Sequence, residues 1–286
     1  MRRLSLAHIT AADIVAARRR VPLAFALPAG MLARRIAWWA LFLGFVLECL
    51  IQFDFSPARI FGGLSGAWTI LRLMIPPVPG EDVMELVFAL GETLAMAFLG
   101  TLIATILAIP IGFLAAKNVI PGWILHFSLR RLLDGIRGID TLIWALVFVR
   151  AVGLGPLAGI LAIAVSDTSS LSKLFAEAIE TADPKSIDGI ASTGARTLQV
   201  LRFGIVPQVI PVILSQALYF FESNTRSSTI LGIVGAGGIG LQLSERIKVN
   251  EWGQACFVIL MILVTVAAID TLSRAIRMRL LGGERR

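Results

Sequence analysis

Six long apolar runs dominate this 286-residue chain, at residues 36–53, 86–107, 136–151, 154–174, 209–231 and 252–272. A hydrocarbon core about 30 Å thick needs about 20 apolar residues of helix to cross it, so runs of this kind read as membrane spans. The third is the shortest and its ends are the least defined. The expected fold class is an all-α integral membrane protein with about six transmembrane helices. Composition points the same way: 57% of the residues are hydrophobic, only 16% are charged and the mean hydropathy is +0.83. Soluble domains carry about 25% charged residues, and no soluble core of this length hides so much apolar surface.

The net charge of +7 belongs to topology, not to a nucleic-acid groove, because the basic residues cluster at the ends of the apolar runs. With the N-terminus placed inside, the segments 1–35, 117–137, 173–204 and 274–286 hold seven, four, four and five Lys and Arg, twenty of the 26. The other six are Arg59, Arg72, Arg150, Arg226, Arg246 and Lys248. This asymmetry predicts a multi-pass bacterial inner-membrane protein with both termini in the cytoplasm and Glu245–Glu251 outside. The expected organisation is a basic leader (1–35), a transmembrane domain (36–272) containing a cytoplasmic loop (173–204), and a basic tail (273–286). The leader's apolar stretch 21–32 is too short to span and lacks a small-residue cleavage site, so it is not read as a removable signal peptide. Cys49 and Cys256 both lie in apolar runs, which supports neither a disulfide framework nor a thiolate metal site. His8 and His126 are the only histidines, so no metal site is expected.

The loop 173–204 reads as structured. Apolar residues fall near helical spacing at Leu174, Ala178, Ile187, Ile190 and Leu198, interrupted at Asp183–Pro184. Asp is a good N-cap and Pro suits the first helical turn. A short amphipathic helix is therefore predicted from Pro184 to about Gly194, where glycine suits a C-terminal cap. The alternative is a helix resting on lipid headgroups, but Asp183 and Asp188 with few cations would be drawn weakly to an anionic leaflet. The hexapeptide GAGGIG, with Gly235, Gly237 and Gly240, satisfies a dinucleotide-binding pattern in spacing alone. That pattern requires a strand before it and a helix after it in a βαβ unit. Here an apolar span precedes it, so the glycines are read as allowing close helix approach or a hinge. No G-x-x-x-x-G-K-[ST] occurs in the chain.

Several stretches carry a family resemblance. DGIASTG (Asp188–Gly194), with Pro207 thirteen residues after Gly194, resembles the Glu-Ala-Ala-x-x-x-Gly loop of ABC importer permeases and its later Ile-x-Leu-Pro. Asp188 stands at the acidic position, Gly189 and Ile190 replace the two alanines, and Gly204, Val206 and Pro207 occupy the later positions. ETLAMAFLGTLIATILAIPIGFLAAKN (from Glu92), RGIDTLIWALVFVRAVGLGP (from Arg137), KLFAEAIE (from Lys173) and TILGIVGAGGIG (from Thr229) add to it. From about Glu92 to Leu272 the chain resembles the phosphonate-type permeases, with Asp140 and SDTSS (Ser166–Ser170) as departures. The resemblance implies a type I ABC importer permease architecture, a non-enzymatic transporter subunit, and a phosphonate, phosphate or phosphite as cargo. It implies ATPase subunits docked on the cytoplasmic loop, with Pro184, Asp188, Gly194 and Pro207 as the coupling residues. A second permease, identical or paralogous, and an external solute-binding protein complete the assembly. No cofactor is expected on this chain, since ATP and magnesium would sit on the ATPase, and no nucleic acid. The alternative is a stand-alone secondary transporter or channel for small anions.

The polar residues inside the runs are the candidate route. Glu222, Asn224 and Arg226 lie within the fifth run, and Glu222 and Arg226 stand i,i+4 in the order that favours pairing. Charges at membrane depth cost at least about 2.5 kcal/mol when they face lipid, so they should face protein or a wet cavity. One reading makes them a packing ion pair. The other has Asn224 and Arg226 meeting an oxyanion, for which guanidinium offers a planar fork. Arg150 could add positive charge at the outer end of the third run or snorkel to the interface. Ser166 and Asp167 make a second polar point, and Asp167, which would repel an anion, is expected to be structural or gating.

Overall fold

The computed structural model describes residues 29–120 and 122–282. Most of the expected basic leader, residues 1–28, lies outside the described residues, as do the last four residues of the expected tail. Every regular element among the described residues is helical. The chain divides into two units, Met1–Thr69 and Ile70–Arg286.

The first unit holds α1 (Ala29–Gln52) and most of α2 (Pro57–Leu73). The second holds α3 (Val83–Ala115), α4 (Trp123–Arg137), α5 (Thr141–Val152), α6 (Pro156–Glu180), α7 (Pro184–Ala191), α8 (Val206–Leu231), α9 (Ile239–Lys248) and α10 (Trp252–Gly282). Among the described residues, five helical stretches are long and apolar enough to cross a membrane: Gly30–Gln52, Val83–Ala115, Pro156–Glu180, Thr197–Ala236 and Trp252–Leu280.

The third expected span takes a different form. Its first two residues end α4, Gly138–Asp140 breaks the helix, and the rest forms α5, which has only 12 residues, about 18 Å of helix. The break has a local cause: Asp140, one of the departures from the resemblance, accepts a hydrogen bond from the Leu142 amide at 2.8 Å and starts a new helix. Both halves run antiparallel along α6, through Arg130 with Glu180, Asp134 with Lys173, and Thr141 with Ser166. α6 itself runs on to Glu180, so residues 173–180 belong to a spanning helix and the loop begins only at Thr181. α10 likewise continues through the basic segment to Gly282, which removes residues 273–282 from the expected tail.

The centre of the second unit is the contact between α3 and α6. Small residues make it possible. Ala97, Gly100, Ala104, Ala108, Gly112 and Ala115 recur along one side of α3 and are buried. A β-carbon on Gly100 would come within 2.7 Å of Ile163, and one on Gly112 within 2.8 Å of Phe175. In lipid, where apolar surface gains little by leaving the solvent, such close packing is what drives helices together. Phe175, Leu171 and Ile179 of α6 fill the space between α3 and the start of α8, where Ile205, Val209 and Ile213 close the cluster.

α8 begins and ends irregularly. A widened π-turn at Leu201–Ile205 leads into it and another at Gly232–Ala236 follows it. The GAGGIG glycines serve this second turn, in agreement with the close-approach reading. Gly235, Gly237 and Gly238 all have positive φ, which costs glycine little. A β-carbon on Gly240 would lie 1.8 Å from the Thr229 carbonyl oxygen. The turn is secured from outside: the Ile239 amide donates to Thr93 Oγ1 at 2.9 Å, and the Gly155 amide donates to the Gly235 carbonyl at 3.1 Å.

Candidate functional site

Residues on α3, α6 and α8 meet in a polar layer within the apolar bundle. Asn224 of α8 is buried and donates from one amide nitrogen to Thr101 Oγ1 of α3 at 2.8 Å and to Asp167 Oδ2 of α6 at 2.5 Å. The Thr101 hydroxyl in turn donates a hydrogen bond to the Ala97 carbonyl. The three helices are thus joined by a network in which each buried group named has a partner, the condition for tolerating polar atoms in an apolar interior. Asp167 is 7% exposed and Asn224 6%, so both face protein. Ser166, one position earlier, accepts from Thr141 Oγ1 of α5 at 2.9 Å.

Glu222 does not pair with Arg226. Its carboxylate meets the Arg277 guanidinium of α10 at 2.5 Å, and that guanidinium also stands 5.8 Å from the centre of the Tyr219 ring. The i,i+4 expectation fails because α10 extends past the predicted end of the sixth run and packs on α8, bringing a cation to a partly buried position. Arg226 is exposed, and among the described residues it has no ionic partner. Arg150 is also exposed, in the last turn of α5, and no described contact joins it to the polar layer. Thus Asn224, Asp167 and Thr101 come together, while Glu222 joins Arg277. Arg226 and Arg150 remain on the surface of this single chain.

At one end of the bundle lies α7. Its N-cap is as the sequence indicated: Asp183 accepts from the Lys185 amide at 3.1 Å and Pro184 takes the first turn. The helix stops at Ala191 and the chain turns at Gly194, whose φ of 79° is left-handed. Ile187 and Ile190 pack against the π-turn at Gly204, where a β-carbon would touch Ile187 at 3.5 Å. Lys185, Asp188 and Gly189 are exposed. Gln208 locks this arrangement by accepting from the Asp183 amide at 2.9 Å and donating to the Gly204 carbonyl at 2.7 Å. Pro207 sits beside it in the first turn of α8. α7 is thus tied to the start of α8 through Gly204 and Gln208. Nearby, Glu180 accepts from Arg130 and from the Lys117 amide, each at 2.8 Å. Lys173 donates to Asp134; that hydrogen bond holds the Asp134 carboxyl below the ordinary range.

Four contributors escaped the sequence reading. Thr101 and Thr141 look like ordinary small residues in apolar runs, Arg277 like part of a tail, and Gln208 carries no motif. The one available signal was Arg277, a cation following an apolar run without any helix-breaking residue between.

Residues 108–281 match the family described as binding-protein-dependent transport system inner membrane component. The proposed phosphite transport system permease HtxC of Stutzerimonas stutzeri is 39% identical over 251 residues, covering 87% of this chain and 84% of its own length. The phosphate-import permease PhnE of Mycolicibacterium smegmatis is 37% identical over 237 residues, which are 83% of this chain but 44% of that protein. Among solved structures, an inward-facing form of the MetNI methionine ABC transporter aligns with a TM-score of 0.61 at 23% identity, over 70% of this chain and 99% of the matched one. That likeness gives the fold, a type I importer permease bundle. With the family match across most of α3–α10 and the identity to HtxC over nearly the whole chain, this protein belongs to the binding-protein-dependent transport system inner membrane components and is a permease subunit of an ABC importer, not an enzyme.

Proposed function

We propose that the chain forms half of a translocation route for a phosphorus oxyanion, a phosphite, phosphonate or phosphate, with Arg226 as the group that meets it. The observation that carries this reading is the division of charge on α8. Glu222 is neutralised by Arg277, which leaves the Arg226 fork exposed and ionically unpaired among the described residues. A guanidinium offers two parallel donors to an oxyanion where an ammonium offers a point charge. The relatives' names, phosphite transport for HtxC and phosphate import for PhnE, supply the cargo class. Asn224 is committed to Thr101 and Asp167, so it positions α8 beside the route and does not bind cargo. Arg150 adds positive charge toward the outer end.

In this reading a second permease, the same chain or a paralogue, completes the route. ATPase subunits dock on α7 and the turn at Gly194, an external binding protein delivers the anion, and ATP and magnesium stay on the ATPase. The residues 117–137 and the α7 side face the cytoplasm. The test is uptake by the assembled transporter in proteoliposomes, with radiolabelled phosphite, methylphosphonate and phosphate offered separately. Arg226→Lys keeps the charge and loses the fork, so uptake is expected to fall about ten- to a hundredfold, the loss of one or two charge-assisted hydrogen bonds, while the complex still assembles. Parental uptake of all three anions by Arg226→Lys and Arg226→Ala would remove Arg226 from the route.

A further inference from the structure

We infer that α2 lies flat in the lipid–water interface, with one side sunk among phospholipid headgroups and upper acyl chains, as an anchor that follows the first span in the chain. At 100° per residue, Ile60, Phe61, Leu64, Trp68 and Leu71 fall within one arc about 100° wide. Arg59, Gly62, Gly66 and Thr69 occupy the opposite side, and Ser65 and Arg72 flank the arc; Ile70 and the final Leu73 depart from the pattern. No residue of α2 is buried, and Phe61, Leu64 and Trp68 are 70%, 64% and 58% exposed. An apolar side this open does not stand in water.

Lipid is the occupant because of where α2 is tied. Only residues 53–56 separate it from α1, a helix long and apolar enough to cross the membrane, and residues 74–82 join it to α3, another. Four residues reach at most about 14 Å, so α2 is held at the membrane surface. It does not cross: a crossing would reverse every later helix and move the basic segments 117–137 and 173–204 to the outer side, against the charge asymmetry. That point rests on the proposed orientation; the amphipathic pattern and the tethers do not. Gly62 and Gly66 have open space at the β-carbon, so the polar side is shallow.

The test uses the complete transporter in liposomes, with Cys49 and Cys256 replaced by serine and a polarity-sensitive fluorophore on Leu64→Cys or Ser65→Cys. Nitroxide lipids carry the quencher near the headgroup or near the chain end, and iodide quenches from water. The Leu64 label is expected to shift its emission to the blue and to be quenched more by the shallow nitroxide than by the deep one. The Ser65 label is expected to respond to iodide. Phe61→Cys and Leu71→Cys should repeat the Leu64 result, so failure of one variant to assemble leaves the question decidable. Strong quenching of both labels by the deep nitroxide would mean that α2 crosses. A blue-shifted Leu64 label insensitive to both lipids would mean a protein cover, either a second permease or the binding protein. Iodide quenching of both would mean that it stands in water. Each of these three overturns the inference, and none depends on whether Arg226 meets the cargo.

Discussion

Glu222 shows how a residue's role is settled by which helix reaches it. Two cations stand within range by sequence or by fold: Arg226, one turn further along α8, and Arg277 from α10. The structure joins it to Arg277, with side chains 14% and 23% exposed, at a helix contact where neither charge is fully hydrated. Removing one member of such a pair leaves the other stranded, which costs about 3 kcal/mol, whereas removing both together is much milder. Glu222→Leu or Arg277→Leu is therefore expected to lower the thermal stability of the detergent-solubilised complex clearly, and Glu222→Leu with Arg277→Leu to recover most of the loss. A double variant as unstable as the sum of the singles would show that the two groups act independently. The same cycle on Glu222 with Arg226 should show no coupling, which separates the observed pairing from the one that i,i+4 spacing suggests. Asn224 makes the complementary point. A buried amide with two partners on two other helices is a fastener, although as a lone letter between Glu222 and Arg226 it looked like part of a binding patch.

At the scale of elements, α7 with its Gly194 turn and the glycine turn after α8 offer sharper tests than the spans. Gly194 is exposed and left-handed at φ 79°, a conformation that costs an L side chain about 1–2 kcal/mol and that Asn tolerates better than most. Gly194→Trp is expected to leave assembly intact and to uncouple ATP hydrolysis from uptake, while Gly194→Asn stays coupled. Equal coupling in both variants would remove this turn from the ATPase contact. Gly240→Ala is a different case. The added carbon would fall 1.8 Å from the Thr229 carbonyl oxygen, so backbone must move, and the variant is expected to lose yield and melting temperature with no substitution at Thr229 able to restore them. How much of this was legible follows from the physics of each element. Apolar length and charge asymmetry carry their signal in the local sequence, so α3, α6, α8 and α10 were readable, as was the Asp183–Pro184 start of α7. The break at Gly138–Asp140 was not, because an apolar run does not reveal where a side chain will cap a new helix. The ends of α6 and α10 were missed because charged residues stop a hydropathy reading but not a helix: Glu180 and Arg277 each find a partner on another element. The polar layer depends on register between helices more than a hundred residues apart in the case of Thr101 and Asn224, which no local pattern encodes.

For the whole molecule, the open quantity is orientation, since the fold is the same whichever way up it sits. In the proposed orientation α7 and the Arg130–Glu180 and Lys173–Asp134 pairs lie on the cytoplasmic side, and α9 with its Arg246 and Lys248 outside. Near that outer end a polar recess of about 800 Å³ is lined by Glu81, Asp82, Glu85, Glu245, Arg246 and Glu251 among others. Arg246 is held within it by Gln242 and Gln254. An excess of carboxylates there repels an anion from the rim, so cargo of the proposed class would enter along the face of α8 that carries Arg226. Orientation therefore decides whether the recess is an external vestibule or an internal one. Lys248 is exposed and in regular helix, which makes it a better probe than Asn250, whose φ is 60°. In a background without Cys49 and Cys256, Lys248→Cys is expected to react with a membrane-impermeant maleimide in spheroplasts before lysis. Arg285→Cys and Lys185→Cys are expected to react only after it. Labelling of Lys185→Cys in intact spheroplasts, with Lys248→Cys protected, would invert the bundle and move α7 out of reach of any cytoplasmic ATPase. The proposed coupling at Gly194 would then be wrong even with every helix contact described here intact.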